Sequence, residues 1–382
     1  MFEIIDYSTL KMIWWLIIGI LIIGFAIMDG HDMGVGMLLP FIGKNDDERR
    51  VVINSIAPHW EGNQIWFVVL GGSVFAALPI AYGTAFSGYY WAMLAVLWAL
   101  FFRPVGFKYR SMIQAHRWRN TWDWLLLVGS FVPTLVFGVA FGNLLQGSPF
   151  YLNDELRSFY TGSFWGLLNP FALLCGVLAV AMFVFHGAVY LMIRSAGDVY
   201  QRTRKTLPYS AMITILAFAA GGIWIAYGID GYVITSPIDP SGSSDPLYKT
   251  VALERGAWLN NYKTYPLTML IPALGFVGIL LALVLARIGK TGLAFISSSC
   301  GLAGIIATAG VSMFPFLMPS STDPRSSLTV WDSMSSHHTL LITLVGVIIF
   351  LPIIVAYTSW AFYVLRGKIT EEDIRANTHS RY

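Results

Sequence analysis

The chain has 382 residues, 56% hydrophobic and only 12% charged, with a mean hydropathy of +0.64. A soluble domain carries about 25% charged residues, so this composition excludes an ordinary soluble fold and implies a polytopic membrane protein. The formal net charge of +3, with no basic tail and no basic–aromatic run, gives no footprint for nucleic acid.

Spanning helices are read from runs of about 20 apolar residues. In chain order they are predicted at 10–43, 51–80, 83–105, 121–147, 163–194, 207–234, 264–287, 291–318 and 338–365. The fold class is therefore an all-α integral membrane protein with nine transmembrane helices. The first, second and fifth runs exceed a bilayer's need and are expected to tilt or protrude. Residues 1–11 are mildly acidic, and the apolar run behind them has no small-residue cleavage site. They read as the start of a retained first helix, not a signal peptide. Cys175 and Cys300 lie in separate apolar segments and suggest neither a metal pair nor a disulfide framework.

Lysine and arginine alternate in density from one connection to the next. Eighteen fall after the odd-numbered helices, including Lys44, Arg49, Arg50, Arg103, Arg110, Arg119, Arg194, Arg202 and Arg381. Six fall on the other side: Lys11, Arg157, Lys249, Arg255, Lys263 and Arg325. Basic residues concentrate in cytoplasmic loops, which puts the N-terminus outside and the C-terminus in the cytoplasm.

A faint repeat runs through the chain. Asp29-Gly30 matches His186-Gly187, and Ile65-Trp66 matches Ile223-Trp224; Arg103 matches Arg287, and Phe131-x-Pro133 resembles Phe314-Pro315. Two pseudo-repeated four-helix bundles plus one peripheral helix would explain all four matches. The expected units are 1–150, 151–320, and 321–382 for the ninth helix and tail. Gly30-x-x-x-Gly34 and Gly138-x-x-x-Gly142 are small-residue packing faces.

The chemistry concentrates between Asp29 and Trp66. Ionisable groups at membrane depth are costly and usually functional. If 10–43 and 51–80 form an antiparallel hairpin, Asp32 and Glu61 each lie roughly 17 Å from its turn, at one depth. Asp29 sits one turn from Asp32 on the same face. Asp29, Asp32 and Glu61 either carry protons or form a buried network that fixes packing. His31 lies nearly opposite Asp29 on the helical wheel, and no convergence of metal ligands is evident, so no metal is expected. His59, Asn63 and Trp66 share one helical face. Trp60 and Trp66 read first as packing residues. His186 is either a hydrogen-bonded packing residue or an axial haem ligand, and the former is favoured. His337 and His338 suit an interfacial position at the outer surface. Arg103 either snorkels to phosphate or pairs with an acid or a cofactor carboxylate. No phosphate loop and no nucleophile–base arrangement is present. From these residues alone a proton-coupled membrane transporter remains an alternative.

Several stretches carry a resemblance. They are Met28-Asp-Gly-His-Asp-Met-Gly-Val-Gly36, Asn45-Asp-Asp-Glu-Arg-Arg50, Asn54-Ser-Ile-Ala-Pro-His-Trp-Glu-Gly-Asn-Gln-Ile-Trp66 and Phe101-Phe-Arg-Pro104. Further along are Phe141-Gly-Asn-Leu-Leu-Gln-Gly147, Tyr227-Gly-Ile-Asp-Gly-Tyr232, Phe314-Pro-Phe-Leu-Met-Pro-Ser-Ser321 and Ser327-Leu-Thr-Val-Trp-Asp332. Together they resemble subunit II of the cytochrome bd-type quinol oxidases over essentially the whole chain. The resemblance implies a respiratory terminal oxidase of the bacterial inner membrane that oxidises quinol, reduces oxygen to water and builds a proton gradient. It implies no catalysis by this chain alone. Two b-type haems and haem d are expected in a partner, subunit I, with small accessory subunits left open. Some members of the family bind a structural quinone in subunit II. The resemblance maps proton-path carboxylates onto Asp32 and Glu61, and a tryptophan beside the oxygen route onto Trp66. Trp60 and Arg103 match residues tied to haem integrity. Glu61 departs from the more frequent Asp; the extra methylene moves the carboxyl by about 1.5 Å.

Overall fold

A computed structural model describes residues 5–376. The termini Met1 and Tyr382 and the expected cytoplasmic Arg381 lie outside the described residues.

Helix α1 (Tyr7–Ile42) starts where Asp6 accepts a hydrogen bond from the Thr9 N–H at 2.9 Å. This is the side-chain cap that frees a helix start from orphan donors. The turn after α1 opens α2 (Asp46–Ile56) through a capping box, in which Asn45 and Glu48 each satisfy the other's backbone N–H. The chain then breaks at 57–59, where Pro58 interrupts the helical ladder, and restarts as α3 (Trp60–Ala77). Pro79 opens α4 (Pro79–Gly88), which is bent 117° away from α3. The single helix expected over 51–80 is thus three pieces, because prolines lack the N–H that a continuous helix needs.

Next come α5 (Tyr90–Leu100), α6 (Phe102–Tyr109) and α7 (His116–Gln146). Gly147, at φ +87°, ends α7 in a conformation that favours glycine. The second half contains α8 (Pro170–Arg194), α9 (Gly197–Tyr227), the short α10 (Asn260–Thr264), α11 (Leu270–Arg287) and α12 (Thr291–Met313). It ends with α13 (His337–Val364) and α14 (Glu371–Ala376). Eight helical segments among the described residues are long and apolar enough to cross a membrane, and the bent α3–α4 pair makes a ninth when counted as one span. α3 itself runs between opposite ends of the molecule. Trp60 packs on Phe107 near the arginine-rich end, and the Ala77 carbonyl accepts from the Ser335 N–H at the other.

Three small antiparallel hairpins sit at that other end. β1 (Phe150–Leu152) pairs with β2 (Ser158–Tyr160), β3 (Asp230–Ile234) with β4 (Val251–Arg255), and β5 (Phe316–Met318) with β6 (Leu328–Thr329). Asp230 stands opposite Arg255 and Ile234 opposite Val251. The expected spans 207–234 and 291–318 overran into these connections, because apolar strand residues continue the hydropathic signal past the helix end, and 163–194 began early, over the apolar 3-10 turn Trp165–Leu168.

Close packing rests on glycine. A Cβ at Gly34 would collide with the Phe183 carbonyl and crowd Gly187, so α1 and α8 touch backbone to backbone. Gly138 meets Gly176 and Ala179 in the same way where α7 crosses α8. α1 packs on α3, α7 and α8; α8 packs on α9 and α12; α11 packs along α12. α13 lies against α1 and α3 but leaves most of its surface exposed.

The two ends differ in chemistry. At the arginine-rich end Asp123 is fully buried and takes Arg49 at 2.8 Å and Arg110 at 2.5 Å. Asp46 joins Arg110 and Arg119. Arg202 pairs with Glu48. Burial pushes the Glu48 carboxyl up, but that bond and the N–H groups of Lys44 and Asn45 outweigh it and leave the group below its usual range. At the hairpin end Lys11 donates to the carbonyls of Pro240, Gly242 and Trp331, and Lys249 pairs with Asp332 at 2.9 Å. The residues expected on opposite sides thus separate along the helix axes.

Candidate functional site in the buried polar core

Two linked clusters lie where α1 meets α3, α6 and α8. In the first, Arg103 of α6 donates to both oxygens of Asp29, Nη1 to Oδ2 at 3.0 Å and Nη2 to Oδ1 at 2.6 Å. Both side chains are 1% exposed. A planar fork on a carboxylate is the strong, orienting form of the ion pair. Trp60 covers it, with the Arg103 guanidinium 5.6 Å from the indole centre and Phe107 packed 5.3 Å from the same ring. Of the partners weighed for Arg103, phosphate, an acid or a cofactor carboxylate, the structure supplies the acid Asp29.

The second cluster is built on Asp32. Its Oδ2 accepts from Asn63 Nδ2 at 2.8 Å. Its Oδ1 lies 3.3 Å from His31 Nε2 and 3.7 Å from His59 Nδ1. The partners assign the tautomers. His31 Nδ1 is 2.9 Å from the Ile27 carbonyl, which only accepts, so Nδ1 carries the hydrogen. His59 Nε2 faces the Ser55 carbonyl at 3.1 Å and the Tyr190 hydroxyl at 2.7 Å, so Nε2 carries its hydrogen. His59 Nδ1 then accepts from Asn63 Nδ2 at 3.0 Å. His31, Asp32 and His59 converge with one ligand-type atom each, all within 4.8 Å of one another.

This corrects the sequence reading on one point. Opposition of His31 and Asp29 on α1 argued against any convergence of metal-type ligands. The partner is not Asp29 but His59, brought in from the break that precedes α3. The signal was in the sequence: His59 and Asn63 share a face, and Pro58 marks the break that sets its rotation.

Glu61 departs in direction. Asn63 bonds Asp32, so the first turn of α3 lies at the depth of Asp32, as the hairpin arithmetic expected. Glu61 nevertheless points away from the cluster and is exposed. It heads a stripe on α3 that continues through Val68 and Phe75, which are 65% and 62% exposed. Trp66 is buried over Gly24, with its Nε1 lacking a hydrogen-bond partner among the described residues. His186 has both ring nitrogens engaged, by Ser298 Oγ at 2.7 Å and the Ile27 carbonyl at 3.1 Å. An axial ligand needs a free nitrogen, so His186 does not fit a haem. Tyr190 and Asp123, both central to buried networks, carried no signal beyond their residue type.

A family model described as cytochrome bd terminal oxidase subunit II matches residues 10–365. Cytochrome bd-I ubiquinol oxidase subunit 2 of Escherichia coli strain K12 is 55% identical over 99% of this chain and 100% of its own length. Probable cytochrome oxidase subunit 2 of Haemophilus influenzae is 49% identical over the same shares. Cytochrome bd ubiquinol oxidase subunit 2 of Bacillus subtilis is 30% identical over 96% of this chain and 98% of its own. Among solved structures, bd oxidase from Geobacillus thermodenitrificans superposes with a TM-score of 0.67 at 16% identity, covering 93% of this chain and 98% of that one, a likeness of fold. With its all-helical membrane architecture and this agreement over almost its full length, the chain belongs to the cytochrome bd terminal oxidase subunit II family.

Proposed function

We propose that, within the quinol:oxygen oxidoreductase of its family, this chain holds the haem-bearing subunit I in place and carries protons toward it. The observation that carries the proposal is Glu61. A carboxylate on a lipid-facing stripe is expensive, whereas one on a subunit interface can exchange protons with a partner. The stripe of Glu61, Val68 and Phe75 is therefore assigned to subunit I. Asp32, buried at the same depth one helix away, is assigned to the same proton path with Asp29 as its charged neighbour. Trp66 is assigned to the oxygen route, and Trp60 with Arg103 to haem support across the interface. All haems are assigned to subunit I, in keeping with the engaged nitrogens of His186. The cytoplasmic side is assigned to the arginine-rich end. The division at about 150 and 320 belongs to the same reading.

Variants of Glu61 in the assembled oxidase test this. Glu61→Gln should slow quinol-driven oxygen consumption while the haem spectrum stays intact, and Glu61→Asp should be mild because it keeps the acid. A packing role predicts the reverse order, with the near-isosteric Gln tolerated. Normal turnover and a normal proton gradient in Glu61→Gln would remove the residue from the path.

A further inference from the structure

We infer that His31, Asp32 and His59 form a buried binding site for one divalent transition-metal ion of the zinc class.

His31 Nε2 and Asp32 Oδ1 face each other at 3.3 Å, both fully buried, and neither has a hydrogen-bond partner among the described residues. With the hydrogen of His31 fixed on Nδ1 by the Ile27 carbonyl, Nε2 presents a lone pair to a carboxylate oxygen. His59 Nδ1 lies 3.7 Å from the same oxygen, with its lone pair taken by Asn63 Nδ2 at 3.0 Å. Such an arrangement needs a positive charge at its centre, either a proton or a cation. Asn63 Oδ1 is a third buried polar atom here without a partner among the described residues.

The dimensions suit a metal. Zinc binds imidazole nitrogen and carboxylate oxygen at about 2.0–2.2 Å, so ligand atoms on a tetrahedral ion stand roughly 3.3 Å apart. The edge from His31 to Asp32 has that length, and the other two, at 3.7 Å and no more than 4.8 Å, close by small side-chain movements. Two imidazoles and one carboxylate select zinc-class ions over magnesium or calcium, which take oxygen ligands. The groups behind the ligands are also in place. Ile27 and Ser55 carbonyls hold the far nitrogens of His31 and His59, and Asn63 holds the second oxygen of Asp32. The break at 57–59, where Pro58 is exposed, brings the surface within one residue of His59.

On binding, the ion takes the lone pairs of His31 Nε2, His59 Nδ1 and Asp32 Oδ1. Any proton these atoms carry leaves to solvent, and Asn63 gives up its bond to His59 while keeping that to Asp32. An effect of the bound ion on turnover rests on the proton path proposed above; the site itself does not.

The test uses the purified oxidase complex, incubated with zinc chloride, desalted, and assayed for zinc per haem by elemental mass spectrometry. Wild type should retain one more zinc per complex than His31→Gln, His59→Gln or the double variant, each checked for an intact haem spectrum. Equal zinc in all four would overturn the site. Should a variant fail to assemble, zinc-edge X-ray absorption on the wild type decides. A shell containing two imidazole nitrogens supports the site, and an all-oxygen or sulfur shell overturns it. Turnover separates the two readings. Zinc should slow wild-type oxygen consumption several-fold more than that of His59→Gln. Site-specific zinc with unchanged turnover would uphold the site and remove Asp32 from the proton path.

Discussion

The Asp29–Arg103 pair offers the sharpest test of how the buried core is held. Both groups are 1% exposed and bonded at 3.0 and 2.6 Å, with the Trp60 ring over the guanidinium. Replacing Asp29 by Asn removes the countercharge but leaves Arg103 where water cannot reach it. Breaking a buried pair from one side costs about 3–5 kcal/mol, because an uncompensated charge remains. That corresponds to roughly two to nearly four decades in the folded-to-unfolded ratio. Arg103→Met alone strands Asp29 in the same way. The double variant Asp29→Leu with Arg103→Met strands nothing, and an apolar replacement of a buried pair is often neutral. The assay is the fraction of assembled complex that survives graded heating in detergent, read by haem absorbance. The expected order is wild type, then the double variant close behind, then both single variants well below. Single variants as robust as wild type, or a double variant worse than either, would refute the claim that pairing of charges governs this site.

Other expectations follow from other parts of the chain. Gly34→Val should cost about 1–3 kcal/mol or block assembly, since its Cβ would collide with the Phe183 carbonyl; an unchanged melting profile would contradict the α1–α8 contact. Glu48 contributes stability above its ordinary value of 4.5, because its partners depress its folded value. That contribution is fully present above pH 4.5 and is lost as pH falls through the lower folded value. Acid melting of Glu48→Gln should therefore show a smaller pH dependence below 4.5 than wild type, and identical curves would sink the assignment. A reporter active only in the cytoplasm should be on when fused after Tyr382 and off when inserted in 235–263; the reverse would overturn the orientation.

Much of this architecture was legible because a bilayer forces backbone groups to bond within helices, so apolar runs mark spans directly. What the runs do not mark is where an apolar segment stops being a helix. Ile234 and Phe316 look like helix residues by hydropathy, yet both lie in hairpins. Pro58 and Pro79 were visible as breakers, but the 117° bend depends on the neighbours that receive α4. For the polar core, spacing on one helix placed Asp29 and Asp32 correctly. Contacts between helices depend on rotation about each axis, which no single-helix wheel contains. Hence Glu61 was read for depth but not for the direction of its carboxyl, and the meeting of His31 with His59 was missed. Tyr190, near the C-terminal end of a different helix, joins that meeting only through tertiary packing.

The most direct test is isolation of this chain with its native lipid shell. It should co-purify in fixed stoichiometry with a haem-bearing partner, show the optical bands of b- and d-type haem, and consume oxygen when given quinol. Expressed alone, it should be colourless and inert toward quinol. A colourless single chain with substrate-dependent uptake, or quinol oxidation by this chain without its partner, would contradict the assignment.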